Sequence, residues 1–184
     1  MLDCPISGAP PQLRAGTAVV FSSGSPDAHR LAVPALRAIS PKVYHVGAFG
    51  QGMRAKCTTH LMLAGHSLVA AEALAFAAKA GLPLADVLEM MPGTINSSAI
   101  FEQRAPRVLV PIAEQAAHGY VRMLGEALQD VSRLADDIGA ATPVLGQALR
   151  YIRELPEDAA DELTVAFYSQ LAGPVCPQDG GIPA

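Results

Sequence analysis

The sequence has no tryptophan, and aromatic residues make up only 5% of its 184 positions. Charge is also sparse: 16% of residues are ionisable, 13 basic against 17 acidic, for a net charge of -4. Nowhere do Lys and Arg cluster, so the basic surface that phosphate-backbone binding requires is missing and nucleic acid is not an expected partner. The three cysteines, Cys4, Cys57 and Cys176, are odd in number and never form a CxxC pair. Neither a disulfide framework nor a zinc site is expected, and a reducing cytoplasm fits best. The opening residues Met1-Leu2-Asp3-Cys4-Pro5 lack the basic-then-apolar order of a secretory signal. The longest uncharged apolar stretch, 57–71, contains His60 and His66 and falls short of the roughly 18 residues a membrane span requires. No membrane segment is expected.

What is present is apolar: 51% of the residues are hydrophobic, enough to bury a core without disulfides or metal. Composition changes near residue 50. Before it, the runs 18–21 and 43–46 are β-branched or aromatic and flanked by Gly, Ser and Pro, which predicts buried strands. Between them Ser25-Pro26-Asp27 offers an N-cap serine, a proline at the first helical position and an acid in the first turn, predicting a helix that ends near Ile39-Ser40-Pro41. This part reads as α/β.

From Met53 onward no strand pattern appears. Residues 53–80 are rich in Ala, Leu and Met and stop at Gly81-Leu82-Pro83, so one helix of roughly 40 Å is expected, buried along much of its length. Further helices are expected at 84–91, 97–104, 112–138, 144–154 and 157–171, with a frayed Pro- and Gly-rich tail at 174–184. The fold class is therefore an α+β remnant followed by an all-α bundle around one long helix. Met53, Met62, Met90, Met91 and Met123 read as core filler, and Glu114, Glu126, Asp130, Asp136 and Asp137 as a solvated face. The α/β piece of about fifty residues has too few strands to close a sheet, which suggests that something belongs in front of it.

Three places could carry chemistry. Ser7-Gly8-Ala9-Pro10 follows a short apolar strand; it is either an ordinary turn or a hydroxyl and backbone cradle for a carboxylate. Gly47-Ala48-Phe49-Gly50-Gln51-Gly52 sits between a strand and the long helix, where a dinucleotide loop would sit. Its spacing is GxxGxG rather than GxGxxG, the helix after it is too long for a crossover, and Glu72 lies inside that helix. A hinge between domains is the expected reading. Lys56, Thr59 and His60 share one face of the long helix at i, i+3 and i+4, the lysine being either a solvated end residue or a placed acid/base. His60 and His66, six apart, face differently and do not form a metal pair.

Taken in order, Asp3-Cys4-Pro5-Ile6-Ser7-Gly8-Ala9, Ala15-Gly16-Thr17, Gly47-x-x-Gly50-x-Gly52-x-x-x-Lys56, Ala71-Glu72-Ala73 and Lys79-Ala80-Gly81 resemble the β-hydroxyacid dehydrogenase family, which includes 3-hydroxyisobutyrate dehydrogenase and, more distantly, 6-phosphogluconate dehydrogenase. The resemblance implies that residues 1–50 are the last strands of an NAD(P)-binding Rossmann domain whose front is absent, that 51–173 form the all-helical second domain, and that 174–184 are a tail. It implies NAD or NADP as cofactor, a small hydroxyacid substrate and a homodimer. It places Ser7 and Gly8 in the family's substrate-binding serine-glycine-glycine motif, with Ala9 replacing the last glycine, and Lys56 on the catalytic lysine.

Such a lysine exchanges a proton with the substrate oxygen, and a free amine near pKa 10.4 must be lowered by burial before it acts as a base. Two positions depart from the pattern: His60 stands where the family has asparagine, and Glu126-Ala127 where it has a cofactor-contacting lysine followed by aspartate. The competing expectation is a non-catalytic helical dimerisation or binding module.

Overall fold

The computed structural model describes residues 1–115, 120–156 and 159–173. Cys176 and the tail at 174–184 lie outside the described residues. The chain divides into two compact units, Met1–Met62 and Leu63–Ala184, and the division falls inside a helix that runs from one into the other.

The first unit is a small mixed sheet with helices. Its central strand is β3, Val19–Gly24, and β4, Lys42–His45, lies parallel to it. On the other edge β1, Leu2–Asp3, and β2, Ile6–Ser7, run antiparallel to β3 in one continuous register, Asp3 opposite Ser23 and Ile6 opposite Val20. Between them Pro5 has no N–H and interrupts the ladder, but its carbonyl accepts from Phe21 N–H at 3.0 Å and keeps the two pieces aligned. A short helix α1, Pro10–Arg14, follows β2. Helix α2, Pro26–Ile39, makes the crossover from β3 to β4, and its first turn follows the Ser-Pro-Asp pattern: Ser25 Oγ accepts from Ala28 N–H at 3.1 Å. Ala18 and Val20 are buried, and so are Ser22, Ser23 and Ser40. Ser40 Oγ donates to the Ala18 carbonyl, as a buried hydroxyl must find a partner.

Helix α3, Gln51–Lys79, begins in this unit and ends in the second. At 29 residues it is long and apolar enough to cross a bilayer, with mean hydropathy 1.6 over its most apolar window. The sequence expectation measured only the uncharged run 57–71, whereas the helix continues through Glu72 to Lys79. Beyond Leu63 it has a buried side: Ala64, Ser67, Leu68, Ala71, Leu74 and Ala75 are all buried. The expectation that it is buried along much of its length is corrected: between Gln51 and Leu63 only Gly52 is buried, and on one face beyond that Val69 and Phe76 are 61% and 73% exposed.

The second unit is helical, and among its described residues there is no strand. After α3 come α4, Leu84–Met90; α5, Ala99–Arg104; α6, Tyr120–Asp137; α7, Pro143–Arg153; and α8, Leu163–Ala172, with 3₁₀ turns at Ala105–Leu109 and Ile112–Glu114. Helix α6 packs against α7, and α7 against α8. Val121, Leu124, Leu128, Val131 and Ala135 form the buried stripe of α6 at helical spacing. Gly125 lets α7 approach closely, since an added Cβ would lie 3.0 Å from Ile152 Cγ2. Arg104 donates to the buried Glu162 carboxylate at 2.8 Å, and the other carboxylate oxygen accepts from Val165 N–H, capping α8.

Four sequence expectations are corrected here, the first being the buried strand at 43–46: in β4 Lys42, Tyr44 and His45 are exposed and Val43 is half-buried. The single helix expected at 112–138 is not continuous, because Gln115 is extended and closes a separate 3₁₀ turn begun at Pro111. The helix expected at 157–171 starts only at Leu163, because extended Glu162 uses its own side chain as the cap. The methionines are not core filler as a group: Met53, Met62, Met90 and Met123 are at least half exposed. On α6, for example, Met123 lies next to exposed Arg122 and outside the buried stripe, whereas Glu126 and Asp130 are exposed as expected.

Leu128 is fully buried, so Leu128→Ala removes its apolar contacts and leaves a cavity. The expected loss of unfolding free energy is about 2–5 kcal/mol in urea titration, against less than about 0.5 kcal/mol for Met123→Ala on the outer face.

Candidate active site

The site is built within the first unit, where the end of β2 meets the opening turns of α3. Gly8 adopts φ +143°, and a Cβ there would lie 2.8 Å from Ala18 Cβ. Only glycine lets the chain leave β2 in this direction. The next amide, Ala9 N–H, donates to Gln12 Oε1 at 3.1 Å, which fixes the turn. Ser7 donates its hydroxyl to Thr59 Oγ1 at 3.4 Å, and Thr59 donates in turn to the Lys56 carbonyl at 2.8 Å. The serine that ends β2 is therefore tied to the helical turn that carries Lys56. Lys56, Thr59 and His60 are all half-buried.

The start of α3 is held differently from an ordinary helix end. Gly50 precedes the helix and offers no capping side chain, yet each amide of the first turn has a partner. Gln51 N–H donates to Ala48 O at 3.0 Å and Arg54 N–H to Gly50 O at 3.3 Å. Gly52 N–H donates to Ser23 Oγ at 2.9 Å, and Met53 N–H to Asp3 Oδ2 at 2.9 Å. Ser23 also donates to the same Asp3 oxygen, at 3.1 Å. Gly52 is required for the approach, since a Cβ would meet Phe21 O at 2.7 Å and Asp3 Oδ2 at 2.8 Å. These contacts bear on the glycine run at 47–52. A pyrophosphate binds a helix N-terminus through unpaired N–H groups, and here they are already donating within the protein. The helix start at 51–54 therefore has no free amide to offer a phosphate.

Sequence reasoning did not single out Asp3, Ser23 or the Ser7–Thr59 contact. A signal was present in the bare Gly50-Gln51-Gly52 start, which leaves a long helix without a local cap and so requires acceptors from elsewhere.

No carboxylate within this unit pairs with Lys56. His60, one turn later, has its pKa lowered below 6.5, mainly by burial and further by the Lys56 charge. Its neutral form is therefore favoured near pH 7, able to donate one hydrogen bond and accept another. Glu126, at the position where the resemblance expects a cofactor lysine, is exposed on α6 and paired with Arg122 at 2.9 Å. A concavity of about 560 Å³ at the carboxyl ends of β3 and β4 is lined by Gly24, Ser25, Pro26, His45 and Phe49 among others. It includes neither Ser7 nor Lys56, and the titratable groups in its lining are His45 and the Met1 amine.

The lowered pKa of His60 predicts a sign for acid sensitivity. The unfolded chain binds a proton at His60 near 6.5 while the folded one does not, so this contribution is complete above that pH and is lost as pH falls toward the folded value. His60→Asn is expected to flatten the fall in urea midpoint between pH 7 and the acid side, and an unchanged slope would remove His60 from the pH dependence.

Residues 50–168 match the family described as the NAD-binding part of NADP-dependent 3-hydroxyisobutyrate dehydrogenase. Among curated proteins, L-threonate dehydrogenase of Haemophilus influenzae is 36% identical over 110 residues, covering 59% of this chain and 36% of that protein. The 3-hydroxyisobutyrate dehydrogenase of Pseudomonas aeruginosa is 29% identical over 167 residues, covering 88% of this chain and 56% of that protein. Among solved structures, the 3-hydroxyisobutyrate dehydrogenase of Salmonella typhimurium superposes with a TM-score of 0.81 at 27% identity, covering 92% of this chain and 60% of that one. The chain thus spans less than two thirds of the length of each of these proteins. With well over half of its own residues inside the matched family region, the chain belongs to the NAD-binding, 3-hydroxyisobutyrate dehydrogenase-like family of hydroxyacid dehydrogenases.

Proposed function

We propose that this chain supplies the substrate-holding and proton-transferring part of an NAD(P)-dependent dehydrogenase that oxidises the CH–OH group of a small hydroxyacid, or reduces the matching semialdehyde. The observation that carries the reading is the hydrogen-bonded link from Ser7 through Thr59 to the Lys56 turn, with a cation and a hydroxyl on neighbouring elements of one unit. Residues 1–50 are read as the last strands of a Rossmann-type domain, consistent with the parallel β3–α2–β4 crossover, and 51–173 as the helical domain built around α3. A cytoplasmic setting goes with this reading. L-Threonate and 3-hydroxyisobutyrate are the first substrates to test, since the relatives carry those names.

In the proposed reaction the substrate carboxylate is held by the Ser7 hydroxyl and the Gly8 backbone, which leaves the carbinol group toward the Lys56 turn. In reduction the Lys56 ammonium gives its proton to the carbonyl oxygen as the hydride reaches the carbon and C=O becomes CH–OH; oxidation is the reverse, the proton returning to the lysine nitrogen. His60, kept neutral, donates a hydrogen bond to the same oxygen or to a neighbouring hydroxyl. NAD or NADP, implied by the family, supplies the hydride acceptor. The first-turn amides of α3 at 51–54 are used internally and are not read as the cofactor's pyrophosphate site, and Glu126, exposed and paired with Arg122, is not read as a substitute for a cofactor-binding lysine. No cofactor contact is assigned to this chain.

The test is turnover with each hydroxyacid and each nucleotide, using the chain alone and fused behind the N-terminal segment of a dehydrogenase relative. Lys56→Ala is expected to reduce kcat by about 10²–10⁴ with a smaller effect on KM. Undiminished turnover in that variant would count decisively against the lysine.

The second reading is a non-catalytic helical dimer module. It is favoured by Val69, Glu72, Ala73 and Phe76, which form one exposed face of α3 in the second unit with two large apolar side chains outward. A homodimer through this face is compatible with either reading. Light scattering is expected to give a dimer mass that Val69→Asp combined with Phe76→Asp converts to monomer. A parent chain that is monomeric at high concentration contradicts the pairing, and micromolar NAD(P) binding by the chain alone contradicts a purely non-catalytic module.

A further inference from the structure

We infer that Asp3, acting with Ser23, is the positioning residue for the proposed catalytic lysine. The inference rests on the reading of Lys56 given above, but its geometry stands independently. Asp3 ends β1, and the same extended segment continues through Pro5 into β2, which ends at Ser7. Its Oδ2 accepts two hydrogen bonds, one from Met53 N–H at 2.9 Å and one from Ser23 Oγ at 3.1 Å. Ser23, fully buried on the central strand, passes the link on by accepting from Gly52 N–H at 2.9 Å. Two amides of the first turn of α3 are thus fixed to two strands at once, and Lys56 lies one turn further along.

Several features make this a positioning device rather than an incidental cap. The carboxylate sits at the positive end of the longest helix among the described elements, where a negative charge is stabilised. The acceptor comes from fifty residues away, so it sets where the helix begins relative to the sheet as well as satisfying a donor. Gly52 allows the strand and helix backbones to approach to a distance that any side chain would prevent. Finally, Asp3 and Ser7 belong to one interrupted strand, so the segment that would hold the substrate carboxylate also holds the helix that presents the amine. A shift at Asp3 changes the separation between them, and proton transfer is sensitive to misplacements of about 1 Å.

Asp3→Ala, Asp3→Asn and Ser23→Ala separate this role from simple stabilisation. Amide hydrogen exchange, read by NMR on the full chain, is expected to lose protection at Met53 in Asp3→Ala and at Gly52 in Ser23→Ala. Asn at position 3 keeps an oxygen acceptor and is expected to retain Met53 protection. In the form that turns over, Asp3→Ala is expected to lower kcat roughly tenfold to a hundredfold with KM nearly unchanged, and Asp3→Asn to recover most of that loss.

Should Asp3→Ala fail to fold, Ser23→Ala carries the same comparison with a smaller change. Unaltered exchange at both amides overturns the clamp. So does unaltered kcat in Asp3→Ala and Ser23→Ala alongside an inactive Lys56→Ala, which leaves the functional reading intact. Full turnover in Lys56→Ala instead overturns the functional reading, and the exchange result then decides the clamp alone.

Discussion

A helix that starts after glycine has amides in its first turn with nothing local to receive them, and in this protein the first unit is organised around that need. Left without partners in a partly buried setting, such groups cost about 1–3 kcal/mol each. Asp3 and Ser23 satisfy two of them from separate strands, and Gly52 removes the side chain that would keep the strands away. The start of α3 and its place relative to β1 and β3 are thus set together. The same contacts occupy the helix's own first-turn amides and put a carboxylate at its positive end.

The chemistry proposed for the site follows from what surrounds that turn. Ser7 is tied through Thr59 to the backbone of Lys56, so a hydroxyl able to receive a carboxylate and a side chain able to move a proton are held on one short path. His60 is kept neutral by burial and by the adjacent ammonium, in the order of their effect. A neutral imidazole can replace the hydrogen-bonding capacity of the amide that the family pattern has at this position, though its shape and titration differ.

Much of the fold was legible from local signals. Ser25-Pro26-Asp27 opens α2 with the expected serine cap, and Gly81 and Pro83 bound the long helix, because caps and breakers act over a few residues. Where a distant or unusual partner decides, local pattern failed. Glu162 delays α8 by serving as its cap while paired to Arg104, and Gln115 breaks what periodicity had joined into one helix. The methionines were misplaced because apolar character alone does not say which face of a helix is turned inward. At the site, motif order led to Ser7, Gly8, Lys56 and His60, whereas the Asp3–Ser23 clamp depends on strand register and was not visible in spacing.

The most direct measurement is a crystal structure of this chain with L-threonate bound. The account predicts the ligand carboxylate against Ser7 Oγ and the Gly8 backbone, with Lys56 Nζ about 3 Å from a ligand hydroxyl oxygen. A carboxylate seated elsewhere, or a lysine directed into solvent with the ligand in place, would contradict it.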